Sequence, residues 1–343
     1  MAEGLNLASA THIPWSHPRI CVLGDVMIDA YMWGKVRRIS PEAPVPVVEI
    51  TRREQRVGGA ANVVKNLHAL GAEVDVISVV GTDSEGEMLE QLLAEISNPH
   101  LERDGSRPTT VKTRVISGGQ HVVRVDEEAT HALPSDIQHK VLDSLGRLIA
   151  SDNRPDAVIL EDYDKGFFSE SLIEGVLQAC EAYDIPVAVD PKLRHFNHYR
   201  GVALFKPNLK ELNEGLALTH PVHPGSREAM ECAVETLMDR LTCQRLMVTL
   251  GEHGTWIHAP AEGINHEHIP AIPREVMDVS GAGDTVIAVA ALMLASGASP
   301  LAMAALANLA GGWVCERVGV VPISKAELER EAVRVPLSHS LTS

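Results

Sequence analysis

Short apolar runs recur along the chain at 20–23, 74–80, 157–160, 187–189, 202–205 and 246–250. Between them, segments 60–70, 85–96, 137–149, 170–182 and 226–241 carry apolar residues three and four positions apart. Continuous apolar runs fit strands buried on both faces, whereas the wider spacing puts apolar side chains on one face of a helix. The alternation predicts repeated βα units and a largely parallel sheet, whose ligands gather at the carboxyl ends of the strands. Segments 31–50 and 110–126 break the rhythm. They alternate β-formers with polar residues, have no helix between them, and include Gly118-Gly119 as a hairpin turn, which predicts a small antiparallel lid. The apolar run 286–298 falls short of the ~20 residues a membrane helix needs and reads as a buried helix. Patterning is weak in 1–17 and in 338–343, so loose termini are expected around a single domain over 18–330.

Composition narrows the function classes. The chain has 343 residues, 45% hydrophobic but only 3% aromatic, so its core is expected to be mainly aliphatic. The formal net charge of -16 argues against a broad nucleic-acid or anionic-membrane surface, and any phosphate site must be local. Five scattered cysteines without a CxxC pair, and a start lacking a basic segment before an apolar stretch, point to a reducing, cytoplasmic setting. The histidine pairs His195/His198, His220/His223 and His266/His268 lack a cysteine or carboxylate frame and read as structural. Neither a GxxxxGK[ST] loop nor a GxGxxG after the first strand is present, which sets aside Walker NTPases and Rossmann dehydrogenases.

The chemistry concentrates in Asp278-Val-Ser-Gly-Ala-Gly-Asp-Thr285, directly ahead of the late apolar helix. At such a helix start the amides of Gly281, Ala282 and Gly283 can face an anion, and glycine permits close approach. Phosphoryl transfer needs donors around the moving phosphoryl group and a base within hydrogen-bond reach of the acceptor hydroxyl, the role read for Asp284. An ordinary acidic N-cap is the plain alternative.

The octet resembles the C-terminal signature of the ribokinase-like, or PfkB, carbohydrate kinases. Val57-Gly-Gly-Ala-Ala-Asn62 resembles their N-terminal signature, although alone it could be a tight turn before a helix. The resemblance implies an α/β three-layer sandwich with a mostly parallel central sheet and a β lid. It implies sugar contacts at Asp29, Gly58, Gly59 and Asn62. Lys206-Pro-Asn-Leu-Lys-Glu211 resembles the family's N-x-x-E element, in which Asn208 and Glu211 would organise magnesium through water; helix capping is the alternative. Thr249, Gly251 and Gly254 would belong to the ATP loop, with Asn308 facing adenine, and Asp278 with Ser280 would lie near a potassium site.

Within that family, Arg38-Ile-Ser-Pro-Glu-Ala-Pro-Val-Pro-Val-Val48, Glu161-Asp-Tyr-Asp-Lys-Gly166 and Asp190-Pro-Lys192 are similar to kinases of D-glycero-β-D-manno-heptose 7-phosphate. The resemblance covers most of 18–325 and implies phosphorylation of the anomeric hydroxyl in ADP-heptose synthesis. A nucleotidyltransferase domain often follows such kinases; with the chain ending at Ser343, the single-function form is expected. The acceptor is then an anion, and Arg124, Lys192, Lys165 and Lys112 are the candidates for its phosphate, unless they are surface charges or Lys165 and Lys192 serve the transferring phosphate. Another sugar kinase, or a non-catalytic sugar- or nucleotide-binding regulator, is the rival reading. The lid's exposed edges suggest a homodimer.

Overall fold

A computed structural model describes residues 15–334. The chain opens with β1 (Arg19–Gly24), β2 (Val26–Ile39), β3 (Pro46–Gly59), α1 (Ala60–Ala69), β4 (Glu73–Val80) and α2 (Ser84–Ala94). There follow β5 (Asn98–Arg103), β6 (Val111–Ser117), β7 (Gln120–Glu127), α3 (Ser135–Ile149), β8 (Ala157–Glu161), α4 (Glu170–Glu181) and β9 (Val187–Asp190). Next come β10 (Leu204–Phe205), α5 (Leu209–Gly215), α6 (Arg227–Leu241), β11 (Leu246–Thr249), β12 (Thr255–Ala259) and β13 (Ile264–Ile269). The last elements are α7 (Ala282–Ala295), α8 (Pro300–Cys315) and α9 (Lys325–Arg334).

Among the described residues the large sheet has nine strands in the order β13-β12-β11-β10-β9-β8-β1-β4-β5. It is parallel from β5 across to β11, and only the β11–β12 and β12–β13 pairings are antiparallel. The apolar runs of the sequence become its central strands because both faces are covered. In β1, Ile20 and Val22 pack into one core while Cys21 and Leu23 pack into the other. β8 divides the same way, Ala157 and Ile159 against Val158 and Leu160. Helices α1, α7 and α8 fill the first core and α3, α4 and α6 the second, giving three layers. Helix α7 is buried at every position from Asp284 to Leu294, so a carboxylate at its start is carried into the interior.

The second sheet, β3-β2-β6-β7, consists of two antiparallel hairpins, β2–β3 and β6–β7. A parallel pairing of β2 with β6, from Ile28↔Val111 to Gly34↔Ser117, joins them. That joint is not visible in the alternation, which reports a strand's two faces but not its neighbour. The hairpins also extend beyond 31–50 and 110–126, because β2 and β3 converge on the main sheet at Val26 and Gly59.

Three further differences concern the ends and edges. Trp15, placed by the sequence reading in a loose terminus, is buried, and its indole N–H donates to Leu70 O at 3.1 Å. Of the expected loose ends, 1–14 and 338–343 lie outside the described residues, while Ser16 and His17 are exposed. The strand pattern also passed over β5 and β13, the two edges of the sheet, and β12 beside β13; all three lack the continuous apolar runs of the central strands.

The sheet closes tightly where the site forms. A Cβ on Gly24 would lie 2.0 Å from Glu161 O and 3.2 Å from the Ala60 Cβ. Gly24→Ala is therefore expected to cost about 2–3 kcal/mol, read as a lower urea midpoint at unchanged slope.

Candidate active site

Residues leaving the carboxyl ends of β8, β9, β10 and β11 line a cleft of about 1110 Å³, closed on the far side by α7 and α8. Glu161 ends β8, Asp190 ends β9, Lys206 follows β10 and Thr249 ends β11. Ala282, Gly283 and Asp284 of the glycine-rich octet border the same cleft.

Asp284 is 8% exposed. The Asn62 amide of α1 donates to its Oδ2, and the Tyr163 hydroxyl donates to its Oδ1 at 2.7 Å. Burial pushes the Asp284 carboxyl up from its ordinary range, while both donors pull it back by favouring the anion. Asn62 is itself buried, and its Oδ1 has no hydrogen-bond partner, leaving an acceptor free beside the carboxylate. Gly281, with φ 77°, starts α7 without any side-chain cap, and a Cβ there would lie 3.0 Å from Asn62 Nδ2. Glycine thus supplies both the left-handed turn and the close approach of two signature loops.

Of the three octet amides expected to face an anion, that of Ala282 donates instead to Val279 O at 3.3 Å. Gly281 is absent from the cleft lining, whereas Ala282 and Gly283 belong to it. The difference follows from the turn, which folds the start of α7 back on the preceding loop.

Two lysines counter the carboxylates. Lys206 Nζ lies 2.7 Å from Asp190 Oδ2 with both side chains buried. Lys192 Nζ lies 2.8 Å from Glu211 Oε1. Burial works against the charge of each lysine, but the Asp190 carboxylate, joined by Glu211, outweighs it and raises both. Glu161, 1% exposed, is pushed well up by burial and then by the Asp190 and Asp284 charges.

Asn208 and Glu211 form a complete capping box at the start of α5: Asn208 Oδ1 accepts from Glu211 N, and Glu211 Oε2 accepts from Asn208 N, both at 2.9 Å. The alternative reading of that element is therefore realised, and both residues also line the cleft. Asn208 bridges Thr249 in parallel register, tying α5 to the loop after β11. In that loop Gly251 and Gly254 have positive φ, and a Cβ on Gly254 would lie 2.1 Å from Ile269 O. Asn308 lines the cleft, but its Nδ2 donates to Pro270 O at 3.0 Å and its Oδ1 accepts from Thr255 at 3.3 Å. The carboxylate of Asp278 accepts from the amides of Ser280 and Gly319, both at 2.9 Å. Among the described residues no three His, Cys, Asp or Glu side chains gather in a metal-holding group.

On the lid side, Asp29 pairs with Arg114, and a Cβ on Gly58 would lie 2.5 Å from Asp29 Oδ2. Gly58, Gly59 and Asn62 thus run continuously from Asp29 to Asp284. Of the four cations expected to meet an acceptor phosphate, three come together. Lys112 and Lys165 share Glu128, at 3.1 and 2.8 Å, and Lys112 shares Asp126 with the exposed Arg124. Lys192 does not join them, since its place after β9 puts it in the large cleft with Glu211.

The sequence reading missed Tyr163, Asp190, Lys206 and Arg114 as site residues. Tyr163, Asp190 and Lys206 lie within a residue or two of the end of a central strand, and that position was the available signal. Arg114 had none, because its partner Asp29 lies 85 residues away. Asp25 was also missed. Its buried carboxylate accepts from the amides of Tyr163, Lys165 and Phe167 at 3.0, 3.2 and 3.1 Å. Burial and the neighbouring Asp162 raise it to about 6 despite those bonds.

Known proteins resemble the chain in sequence and in fold. The chain is 41% identical over 316 residues to a D-beta-D-heptose 7-phosphate kinase of Bordetella bronchiseptica, covering 92% of this chain and 96% of that protein. It is also 41% identical over 314 residues to the bifunctional protein HldE of Methylobacillus flagellatus, covering 91% of this chain but 62% of the relative, so it spans about three-fifths of such bifunctional proteins. Among solved structures, phosphofructokinase-2 from Escherichia coli in complex with potassium superposes with a TM-score of 0.75 at 20% identity, covering 94% of this chain and 100% of that one. A putative ribokinase from Agrobacterium tumefaciens gives 0.70 at 16% identity, covering 93% and 98%. These two structures support the ribokinase-like fold. With the pfkB family carbohydrate kinase model matching residues 17–326, the chain belongs to the pfkB family of carbohydrate kinases.

Proposed function

We propose that the chain transfers the γ-phosphoryl group of MgATP to the anomeric hydroxyl of D-glycero-β-D-manno-heptose 7-phosphate, giving the 1,7-bisphosphate, with Asp284 as general base. The observation that carries this reading is a buried carboxylate at the head of α7, bordering the cleft and oriented by Asn62 and Tyr163. Support for the substrate comes from the Bordetella bronchiseptica relative, matched over nearly its whole length.

In this reading Asn62 Oδ1, buried without a partner, receives a sugar hydroxyl, and Asp29 receives another. Asp284 takes the anomeric proton as the oxygen attacks the phosphorus, and the lid covers the reacting centre from water. Lys206 and Lys192 balance the negative charge where the phosphates lie. Magnesium bound with ATP would draw charge from the transferring phosphates. Both Glu211 oxygens are engaged, so Asn208 and Glu211 suit an ion held through water rather than direct ligation. Asp278, with both oxygens taken by amides, likewise leaves potassium to the backbone carbonyls around it. The Lys112, Lys165 and Arg124 cluster is the reading for the acceptor phosphate, which would displace Glu128 and Asp126.

The lid exposes Val36, Ile39, Ile50, Val123 and Val125, apolar side chains that support pairing of two copies through this sheet. No helix among the described residues is long and apolar enough to cross a membrane, and the reading places the reaction in the cytoplasm.

Turnover of heptose 7-phosphate in an ADP-release assay, with a new anomeric phosphate in the ³¹P spectrum, is expected; turnover of ribose instead would reject the substrate. Asp284→Asn is expected to lower kcat by about a thousandfold while ATP binding persists in titration calorimetry, and an unchanged rate would remove Asp284 from the base role. Light scattering should give twice the chain mass of 37.0 kDa, and Val125→Asp with Ile39→Asp should return it to one.

A further inference from the structure

The Asp25 network and the hydroxyl of Tyr163 together fix the segment that leaves β8 beside Asp284. Residues 163–167 leave β8 without forming helix, and Asp25, just past β1, grips them by three backbone amides. The grip sets the position of one side chain, since Tyr163 reaches from this loop to Asp284 Oδ1. Burial, and then the charges of Asp284 and Glu161, push its phenol well above the ordinary range, so it keeps its proton and remains a donor.

We propose that Tyr163 is a positioning residue for the base: its hydroxyl fixes the orientation of the Asp284 carboxylate and keeps that carboxylate anionic in a buried site. The proposal rests on the reading of Asp284 as base. The surroundings of Asp284 make such a donor necessary. From β9, Asp190 opposes its negative charge while the buried Lys206 favours it, and on β8 the Glu161 carboxyl is itself pushed up by burial and by the Asp190 and Asp284 charges. From α1 comes the neutral Asn62, and Lys192 lies 5.6 Å from the Tyr163 ring with its charge committed to Glu211. With Tyr163 removed, one carboxylate oxygen loses its partner in a site that already favours the protonated form. A base works only as the anion, so the pH at which activity appears must then rise.

The test compares the wild-type chain with Tyr163→Phe and with a ring-fluorinated tyrosine at position 163, which keeps the shape and donates more strongly. ¹³C NMR of labelled aspartate carboxyls follows the ionisation of Asp284, assigned as the signal lost in Asp284→Asn, so the measurement needs no turnover. The Asp284 midpoint is expected to rise by about one pH unit or more in Tyr163→Phe and to fall with the fluorinated ring. The acid limb of kcat/KM with heptose 7-phosphate and MgATP should move with it, while KM for ATP stays put. An Asp284 midpoint unchanged in both variants, or a loss of kcat equal at every pH, would overturn the proposal. Failure of the wild-type chain to turn over heptose 7-phosphate would reject the substrate reading alone, because the titration still decides the role of Tyr163.

Discussion

The candidate site depends on keeping one ionisable carboxylate inside the fold. Asp284 stands in the first turn of a helix that is buried on every side; the helix N-terminus favours a negative charge there, but burial opposes it. Two donors make it tolerable, and they come from opposite parts of the chain: Asn62 is 222 residues away and Tyr163 is 121 residues away. The two-faced sheet is what brings α1, the end of β8 and α7 to one point. The site is thus a consequence of layer packing as much as of its own residues.

Around that point the molecule repeats a single electrostatic solution. Several buried carboxylates are matched to a donor or a cation: Asp190 to Lys206, Glu211 to Lys192, Asp25 to three amides, Asp162 to Tyr199; Glu161, whose Oε2 has no hydrogen-bond partner, is not. Ion pairs of this kind contribute little net stability, since desolvation offsets most of the attraction. Their value lies in arrangement. Lys206 and Lys192 hold positive charge at fixed places beside a cleft in a chain whose net charge is -16. Local order of charge, rather than overall charge, decides where an anion can settle.

The lid follows a different rule. Its strands are half exposed and its cations are shared among few carboxylates, with Lys112 and Lys165 meeting at Glu128. These pairs are only partly shielded from water, unlike the buried Lys206–Asp190 pair of the cleft. The main sheet thus fixes the buried carboxylates and lysines of the cleft, and the lid carries a second, more exposed set of charges.

Much of this was legible in the linear pattern. Continuous apolar runs marked β1, β4, β8, β9 and β11, because a strand covered on both faces has no polar side to show. The glycine-rich octet marked Asp284, because a left-handed turn before an apolar helix requires glycine at Gly281. Edge strands such as β5 and β13 escaped, since their side chains are mixed and their identity rests on a neighbour. Charge partners escaped for the same reason. Nothing local in the sequence distinguishes Lys192, drawn to Glu211, from Lys165, drawn to Glu128, or tells that Tyr163 ends on Asp284. The sequence alone determined which segments are buried and where backbone must bend, because hydrophobic period and glycine are local properties. Which carboxylate meets which donor was decided only by the tertiary structure, because a hydrogen bond is a matter of distance in space and the chain closes those distances only when its layers pack.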